Sequence, residues 1–396
     1  MRITMDENAT VNTAGEVLAL IRDGRARTRA ELVRLTGLSR ATVSQRVESL
    51  LGGGFVYEAG EAPSTGGRPP QTLAFNSDAG VVLVADLDVT HARLAVADLS
   101  GSLLAESTGE IDIADGPDRV ISWMLEGFEA LLDRVSRGSA SVRGIGIGVP
   151  GPVEYSAGRA VSPPIMPGWD GVAIPALVQK VHPVPVLVDN DVNIMALGEY
   201  WTNWRDRVDD LLFVKVGTGI GSGLVMHGRI YRGQNGAAGD MGHIRVPSAG
   251  SVVCRCGNVG CLEAVASGAA LATELRAMGV DAQGVRDVAR EATGGNTQAI
   301  RMIREAGRQI GEVLAGAVNL LNPGAIVLGG DVALAAAELV AGVREAVYER
   351  STVLATNDLR VQTSELNERA GVTGAAVMII ESILLPVAVD EAIRTS

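Results

Sequence analysis

The chain has 396 residues, 47% of them hydrophobic, with 34 basic against 46 acidic side chains, a net charge of −12 and three cysteines. No apolar run is long enough to cross a bilayer and no charged-then-apolar leader opens the chain, so the sequence reads as cytoplasmic and membrane-free, with its thiols reduced. The charge is uneven: residues 22–46 hold 7 arginines against Asp23 and Glu31, a basic patch on an acidic chain of the kind that meets nucleic acid.

In chain order, "RTRAELVRLTGLSRATVSQRVESLLGGGFV" reads as helix, turn, helix. Thr28 and Glu31 make a T-x-x-E capping box, and Leu32, Val33 and Leu35 supply an apolar face. Gly37 falls where a sharp turn needs a residue without a Cβ. Ser39 caps a second helix whose Val43, Val47, Leu50 and Leu51 keep helical spacing. Arg29, Arg40, Thr42, Ser44, Gln45 and Arg46 then sit near an exposed side, with Thr28 and Ser39 at the helix starts. Such side chains suit phosphates and base edges in a major groove. Two strand-like runs around a Gly/Pro-rich tip follow, a candidate wing that sets Arg68 against a minor groove.

From Gly80 the pattern becomes short apolar strands with amphipathic helices. "GVVLVADLDVTHARLAVADLSGSLLAE" predicts three strands with turns at Leu87–Thr90 and Leu99–Ser102. "LLFVKVGTGIGSGLVMHGRIYRG" repeats that layout about 130 residues later, with a tight turn at His227–Gly228. Two copies of one unit predict two related lobes facing a cleft. Gly217, Thr218, Gly219, Gly221 and Gly223 would let backbone N–H groups approach an anion. Between the copies, "VPVLVDNDVN" places Asn190 and Asp191 where a strand meets a helix. All three cysteines fall in "CRCGNVGCLEA", a spacing that suggests metal rather than disulfides in a reducing compartment.

These stretches, with "GGRPPQTLAFN", "GIGIGVPGPV", "GAAGDMGHI" and "NPGAIVLGGDV", resemble the ROK family (repressors, open reading frames and sugar kinases), in particular its repressor branch. The resemblance runs over about residues 15–380. It implies a winged helix-turn-helix over residues 1–76, followed by a two-lobed actin-like, ribonuclease-H-like sugar-kinase fold over 77–396. The lobes would span about 77–192 and 193–371, with a C-terminal helix over 372–396. It also implies structural Zn2+ on His243, Cys254, Cys256 and Cys261, completing the four-ligand set that zinc takes. A sugar would be held by Asn190, Asp191, Asp240, His243 and Glu263. Asp240 stands where family members usually carry Glu, and Ile165 in "SPPIMPGWDG" where sugar-binding relatives often have Asn.

Asp191 matches the family's catalytic base. On the nucleotide side the resemblance places Asp86, Asp88, Thr90, Gly217, Thr218, Gly219, Gly329 and Gly330. Kinases of this fold carry D-x-G-x-T in the first turn, and here Asp88 replaces the glycine. A carboxylate about 4 Å from a phosphate costs on the order of 4 kcal/mol at an effective dielectric near 20. An impaired nucleotide site is therefore expected, with ATP and Mg2+ not required. The sequence implies a sugar-responsive repressor acting on operator DNA as a homodimer or homotetramer. The alternative is an active ATP-dependent hexose kinase carrying a DNA-binding head.

Overall fold

The computed structural model describes residues 12–61, 71–332 and 336–395. The chain opens with α1 (Ala14–Arg22), α2 (Arg29–Thr36) and α3 (Arg40–Gly52), then the antiparallel hairpin β1 (Val56–Glu61) and β2 (Gln71–Phe75). Thr28 caps α2 in the expected box with Glu31, and Gly37 ends it at φ 71°. Ser39 caps α3. Leu32, Val43, Val47 and Leu50 are wholly buried beneath the three helices, whereas Leu35, expected on the apolar face, is 43% exposed. Arg68 lies outside the described residues. Sequence periodicity left α1 unnoticed, although Thr13 and Glu16 form a second capping box in front of Val17, Leu18, Leu20 and Ile21.

The first sheet contains β3 (Val81–Leu87), β4 (His91–Asp98), β5 (Leu103–Glu110), β6 (Val142–Val149) and, later, the strand Val186–Asn190. Helix α4 (Pro117–Arg134) covers one face, and a two-stranded ribbon of β7 (Val153–Glu154) and β8 (Arg159–Ala160) leads through α5 (Ile174–Val178) to that last strand, β9. The order is β5-β4-β3-β6-β9, an antiparallel meander extended by two parallel strands. Helix α6 (Asp191–Glu199) leaves β9 directly.

The second sheet repeats this arrangement with β10 (Leu211–Val216), β11 (Ile220–Met226), β12 (Arg229–Ile230), β13 (Ala325–Gly329) and β14 (Arg360–Thr363), in the order β12-β11-β10-β13-β14. Its first turn is the glycine-rich stretch. Its second places His227 at φ 51° and Gly228 at φ 74°, the left-handed pair that a two-residue hairpin turn demands. Helices α7 (Glu263–Ala266), α8 (Gly268–Ala277), α9 (Val285–Thr293), α10 (Thr297–Leu321), α11 (Ala336–Arg350) and α12 (Val353–Thr356) complete this lobe. The repeat seen in sequence is thus a repeat in space.

The lobes join where α6 crosses α13 (Ala370–Ile383). A Cβ on Gly374 would stand 1.7 Å from the Ile194 carbonyl oxygen, and one on Gly198 2.2 Å from that of Ala370, so only glycine admits the crossing. Glu199, fully buried, accepts hydrogen bonds from Ser364 Oγ at 2.7 Å and from the N–H groups of Glu365 and Leu366, fixing the turn that launches α13. The tail expected as one helix over 372–396 is two: α13, and α14 (Pro386–Thr395), bent by 66° from it. Helix α13 packs on the first sheet and α14 on α1, so the head rests on the core through the end of the chain. No single helix among the described residues is long and apolar enough to cross a membrane.

Candidate ligand cleft and metal centre

A cleft of about 210 Å³ opens between the lobes. Asn190, Asp191, Asp240, His243 and Glu263, all expected to hold a sugar, line it together with Ile165. Asn190 comes from the end of β9, where its Oδ1 caps α6 and its Nδ2 donates to the Gly151 carbonyl at 3.0 Å. Asp191 is the first residue of α6 and is buried. Glu263 opens α7 and accepts from the Ile220 N–H at 3.1 Å. Its carboxylate occupies the space that a Cβ on Gly219 would fill, at 2.5 Å. Val89, Pro150, Pro152, Pro164 and Ile165 make the apolar side.

The glycine-rich turn therefore serves this cleft. Thr218, Gly219 and Gly221, expected near phosphates, line it beside Glu263. Gly217 has its N–H tied to the Gly219 carbonyl and its own carbonyl to the Gly268 N–H. Gly223 lets α6 approach β11, since a Cβ there would meet Val192 O at 2.7 Å and the Ala196 methyl at 2.6 Å. Behind this cleft lies a second cavity of about 330 Å³, lined by Asp86, Asp88, His91, Arg93, Arg286, Gly329 and Gly330 among others. Thr90 is exposed in the β3–β4 turn and lines neither space.

Lys215 and Asp88 border both spaces. The Lys215 ammonium stands 2.8 Å from Asp88 Oδ2 and 2.6 Å from Asp191 Oδ2. Burial alone would raise Asp88, but the Lys215 charge and hydrogen bond outweigh it and hold that carboxyl down at about 2. Asp191 is raised by burial, with Lys215 opposing and Asp88 adding to the rise. Among the described residues Asp86 has no direct partner of that kind, and burial pushes it up to about 7. Lys215 itself is held well above its ordinary range, because Asp191, Asp88 and Asp86 together overcome its burial. Sequence reasoning missed this residue. The signal available was its rarity, one of only two lysines in the chain, combined with an acid where a glycine belongs.

A second cross-lobe contact was also missed. Arg232, just beyond β12, donates from Nε and Nη2 to Asp189 Oδ2 at 2.9 and 2.6 Å and lies 3.7 Å over the Tyr155 ring. Asp189 accepts from Asn193 Nδ2 as well, so this buried carboxylate is fully used in fixing the β9–α6 corner.

His243, Cys254, Cys256 and Cys261 offer four donor atoms within 4.8 Å of one another. Cys256 and Cys261 Sγ are 3.8 Å apart and Cys254 Sγ is 3.7 Å from His243 Nδ1. A zinc tetrahedron with bonds of about 2.3 Å to sulfur and about 2.0 Å to nitrogen has edges of about 3.5–3.8 Å, so the donor set fits. Burial and the two neighbouring thiols push Cys261 up to about 12, so three thiolates need a cation to coexist here. With Nδ1 toward the thiols, His243 Nε2 faces the cleft side, 3.9 Å from Asp240 Oδ1. The donor set could hold a metal ion and is consistent with zinc.

In the head, Arg40, Ser44 and Gln45 are exposed on α3, with Thr42 and Arg46 half-buried beside them. Thr28 is buried and its hydroxyl is consumed in capping. Arg29 is held by Glu48 at 2.9 Å and Glu58 at 3.2 Å. Ser39 Oγ caps α3 and lies 2.9 Å from Thr42 Oγ1.

The ROK family profile matches residues 82–382. The chain belongs to the ROK family. Its similarity to the xylose repressor of Caldicellulosiruptor bescii is 30% identity over 383 residues, covering 93% of this chain and 95% of that one. A ROK family transcriptional regulator, a homologue of the E. coli Mlc protein, aligns with a TM-score of 0.81 at 26% identity, over 97% of this chain and 98% of its own. The ROK hexokinase of Thermus thermophilus aligns at 0.63 and 30% identity over 98% of itself but 77% of this chain. The matched share for the hexokinase is close to the ROK region alone. The regulators match from end to end, through α1–α3 and the hairpin. The architecture is thus the two-lobed, actin-like ROK sugar-kinase fold, and its N-terminal helices and short hairpin are consistent with a winged helix-turn-helix.

Proposed function

We propose that this ROK protein is a sugar-responsive transcriptional repressor that binds operator DNA and does not phosphorylate its ligand. Residues 1–76 form the DNA-binding head and 77–396 the sugar-binding core. Agreement over 97% of the chain with a ROK transcriptional regulator carries the reading, because it takes in the head as well as the cleft. The α3 face with Arg40, Thr42, Ser44, Gln45 and Arg46 enters the major groove, and Arg68 reaches the minor groove. Thr28, Arg29 and Ser39 support that face as caps and ion-pair partners.

In the cleft Asn190, Asp191, Asp240, His243 and Glu263 receive sugar hydroxyls. Zinc on His243 and the three cysteines fixes the imidazole and the loop before Glu263. It supplies rigidity, with the residues of the cleft doing the recognition. Asp88 closes the nucleotide side, with Asp86, Gly329 and Gly330 kept as elements of the fold. The protein acts in the cytoplasm as a homodimer or larger. A ligand that prefers one arrangement of head and core shifts operator affinity by its differential binding.

The test is a mobility shift on DNA upstream of the protein's own gene, titrated with a sugar panel in the absence of ATP. Retardation reversed by one sugar is the expected result. No retardation, together with sugar-dependent ADP release, would replace this reading with that of a hexose kinase.

A further inference from the structure

Lys215 is the next-to-last residue of β10, in the second lobe. Both its partners belong to the first: Asp88 in the β3–β4 turn, and Asp191 at the start of α6. Its ammonium therefore stands in the passage between the cleft expected to hold sugar and the cavity behind it. A phosphoryl group moving from the rear cavity to a hydroxyl on Asp191 would have to cross that point.

The charges around the passage decide what the lysine is for. Facing it from the rear are Asp86, Asp88, His91, Arg93 and Arg286. On the cleft side are Asp191, Asp240, His243, Arg255 and Glu263. Three carboxyls, Asp86, Asp88 and Asp191, lie in direct electrostatic reach of the one ammonium. Asp88 Oδ1 accepts from the Val89 N–H at 2.6 Å while Oδ2 holds Lys215, so its side chain is fixed at both oxygens. Asp191 Oδ1 accepts from the Val192 N–H at 2.8 Å while Oδ2 takes Lys215. Each carboxylate oxygen keeps a second lone pair, so an ionised Asp191 can still accept a ligand hydroxyl. Without the lysine, three neighbouring carboxyls have no common cation, and like charges so close share protons instead.

We propose that Lys215, clamped on Asp88, takes over the place of nucleotide and metal in this chain: it holds Asp191 as a charged, oriented acceptor for a sugar hydroxyl, so that free sugar binds without ATP or magnesium. The inference deepens the sugar-sensing reading and rests on it. Asp88 is then a working part of the ligand site. It uses up the lysine's charge toward the rear cavity, where Arg93 is likewise engaged by Glu106 and Glu368 and Arg286 by Asp331, and it fixes the ammonium against Asp191. Lys215 is a positioning residue, acting on the ligand through Asp191.

The experiment is calorimetric titration of the full-length protein with D-xylose, D-glucose and N-acetylglucosamine, without ATP and magnesium, for wild type, Lys215→Met, Lys215→Arg and Asp88→Asn. Wild type should bind one of the sugars. Lys215→Met, close in length but uncharged, should weaken that sugar at least about tenfold, the usual size of one lost charge-assisted hydrogen bond. Lys215→Arg should recover most of the affinity. Asp88→Asn should weaken it as well, and the double variant Asp88→Asn/Lys215→Met should be no weaker than Lys215→Met alone, since both act through one contact. Thermal unfolding and zinc content identify any variant that fails to fold, and Lys215→Arg with Asp88→Asn then carry the test.

Folded Lys215→Met with wild-type affinity would overturn the proposal, leaving the lysine as a strut between lobes. Equal losses for Lys215→Arg and Lys215→Met would overturn it too, because shape rather than charge would be at work. So would a marked tightening of wild type by MgATP. A wild type that binds none of the three sugars while still retarding DNA would take down the sugar-sensing reading and this inference with it. That outcome differs from a wild type that binds and a Lys215→Met that binds equally.

Discussion

Gly15 in the first helix lies against Pro386 at the start of the last one: a Cβ on Gly15 would stand 2.2 Å from the Pro386 carbonyl oxygen. The Gly15 N–H donates to Asp390 Oδ1 at 2.9 Å, and Arg22 reaches Glu381 at 3.3 Å. Head and core are thus in close contact at the far end of α13, the helix that crosses α6, whose first residue is Asp191. Gly15→Ala meets backbone, which cannot yield by rotating a side chain, so the head must shift. The expected outcome is a protein that binds sugar and zinc as wild type does but whose DNA affinity no longer responds to sugar. Calorimetry paired with mobility shifts checks it. A full sugar response in Gly15→Ala would show that the joint carries no signal.

Phosphoryl transfer is expected to be absent. A base must take a proton from the attacking hydroxyl, and here the Asp191 carboxylate is bound to an ammonium at 2.6 Å. No ADP above background should form with MgATP and any sugar of the panel. Asp191→Asn should lower sugar affinity about tenfold or more through loss of the charged acceptor. ADP release that Asp191→Asn abolishes would instead establish the kinase.

Zinc should be present at about one equivalent per chain, and its removal should act on the ligand through His243. Cys254 and Cys261 are buried, and their loop is held by the Cys254 N–H to the Asn258 carbonyl at 2.8 Å and the Val253–Val259 bridge. Chelation, or Cys256→Ser, is expected to weaken sugar binding about tenfold, the size of one lost hydrogen bond from an imidazole that is no longer held in place. Metal analysis together with calorimetry reads both quantities. Sugar affinity unchanged after complete removal of zinc would separate the metal from the pocket.

Leu320 at the end of α10 and Val353 and Leu354 on α12 are 85%, 84% and 88% exposed. The Thr352 N–H donates to Asn319 Oδ1 at 3.0 Å, which sets the two segments side by side. These neighbouring exposed aliphatics are where a contact between copies of the chain is expected. Leu354→Glu is expected to shift the protein toward monomer at micromolar concentration and, with heads acting in pairs as helix-turn-helix proteins do on paired half-sites, to weaken operator binding. Light scattering decides it; an unchanged mass would place the oligomer contact elsewhere.

Local rules carried much of the sequence reading. The Thr28–Glu31 box, the Gly37 turn and the His227–Gly228 turn depend on neighbours a few residues away, so their chemistry is written in short stretches. The repeated hairpin gave the two lobes, and the motifs gave five cleft residues and four metal donors that the chain brings together from positions 190 to 263. What escaped depends on contacts between distant elements. Strand alternation places Lys215 on a face of β10 but does not say that the face meets Asp88 and Asp191 of the other lobe. Nothing near Arg232 names Asp189 as its partner. Thr28 and Arg29 looked available to DNA because their own segment is basic, while Glu48 and Glu58, which occupy Arg29, come from α3 and β1.

The charge cluster also sets a pH dependence of stability. Asp86 is pushed from 3.8 to about 7, chiefly by burial. The folded protein therefore holds this proton more tightly than the unfolded chain does. The stability it contributes is fully present below pH 4 and is lost as pH rises through 7, on the order of 4 kcal/mol in all. Asp88, held at about 2, works in the opposite direction: its contribution is present above pH 4 and is lost as pH falls toward 2. The Asp88 window lies below that of Asp86; Asp191, also raised by burial, works in the same direction as Asp86, and comparison of Asp86→Asn with wild type isolates the Asp86 part. Asp86→Asn replaces a group that must ionise with one that cannot, at a fixed cost in hydrogen bonding. Relative to wild type, the variant should therefore gain stability from pH 5 to about pH 7 and level off above it. Urea unfolding of both proteins at several pH values measures this difference. A difference that stays constant across that range would mean that Asp86 is already ionised in the folded state, with Lys215 satisfying three carboxylates rather than two.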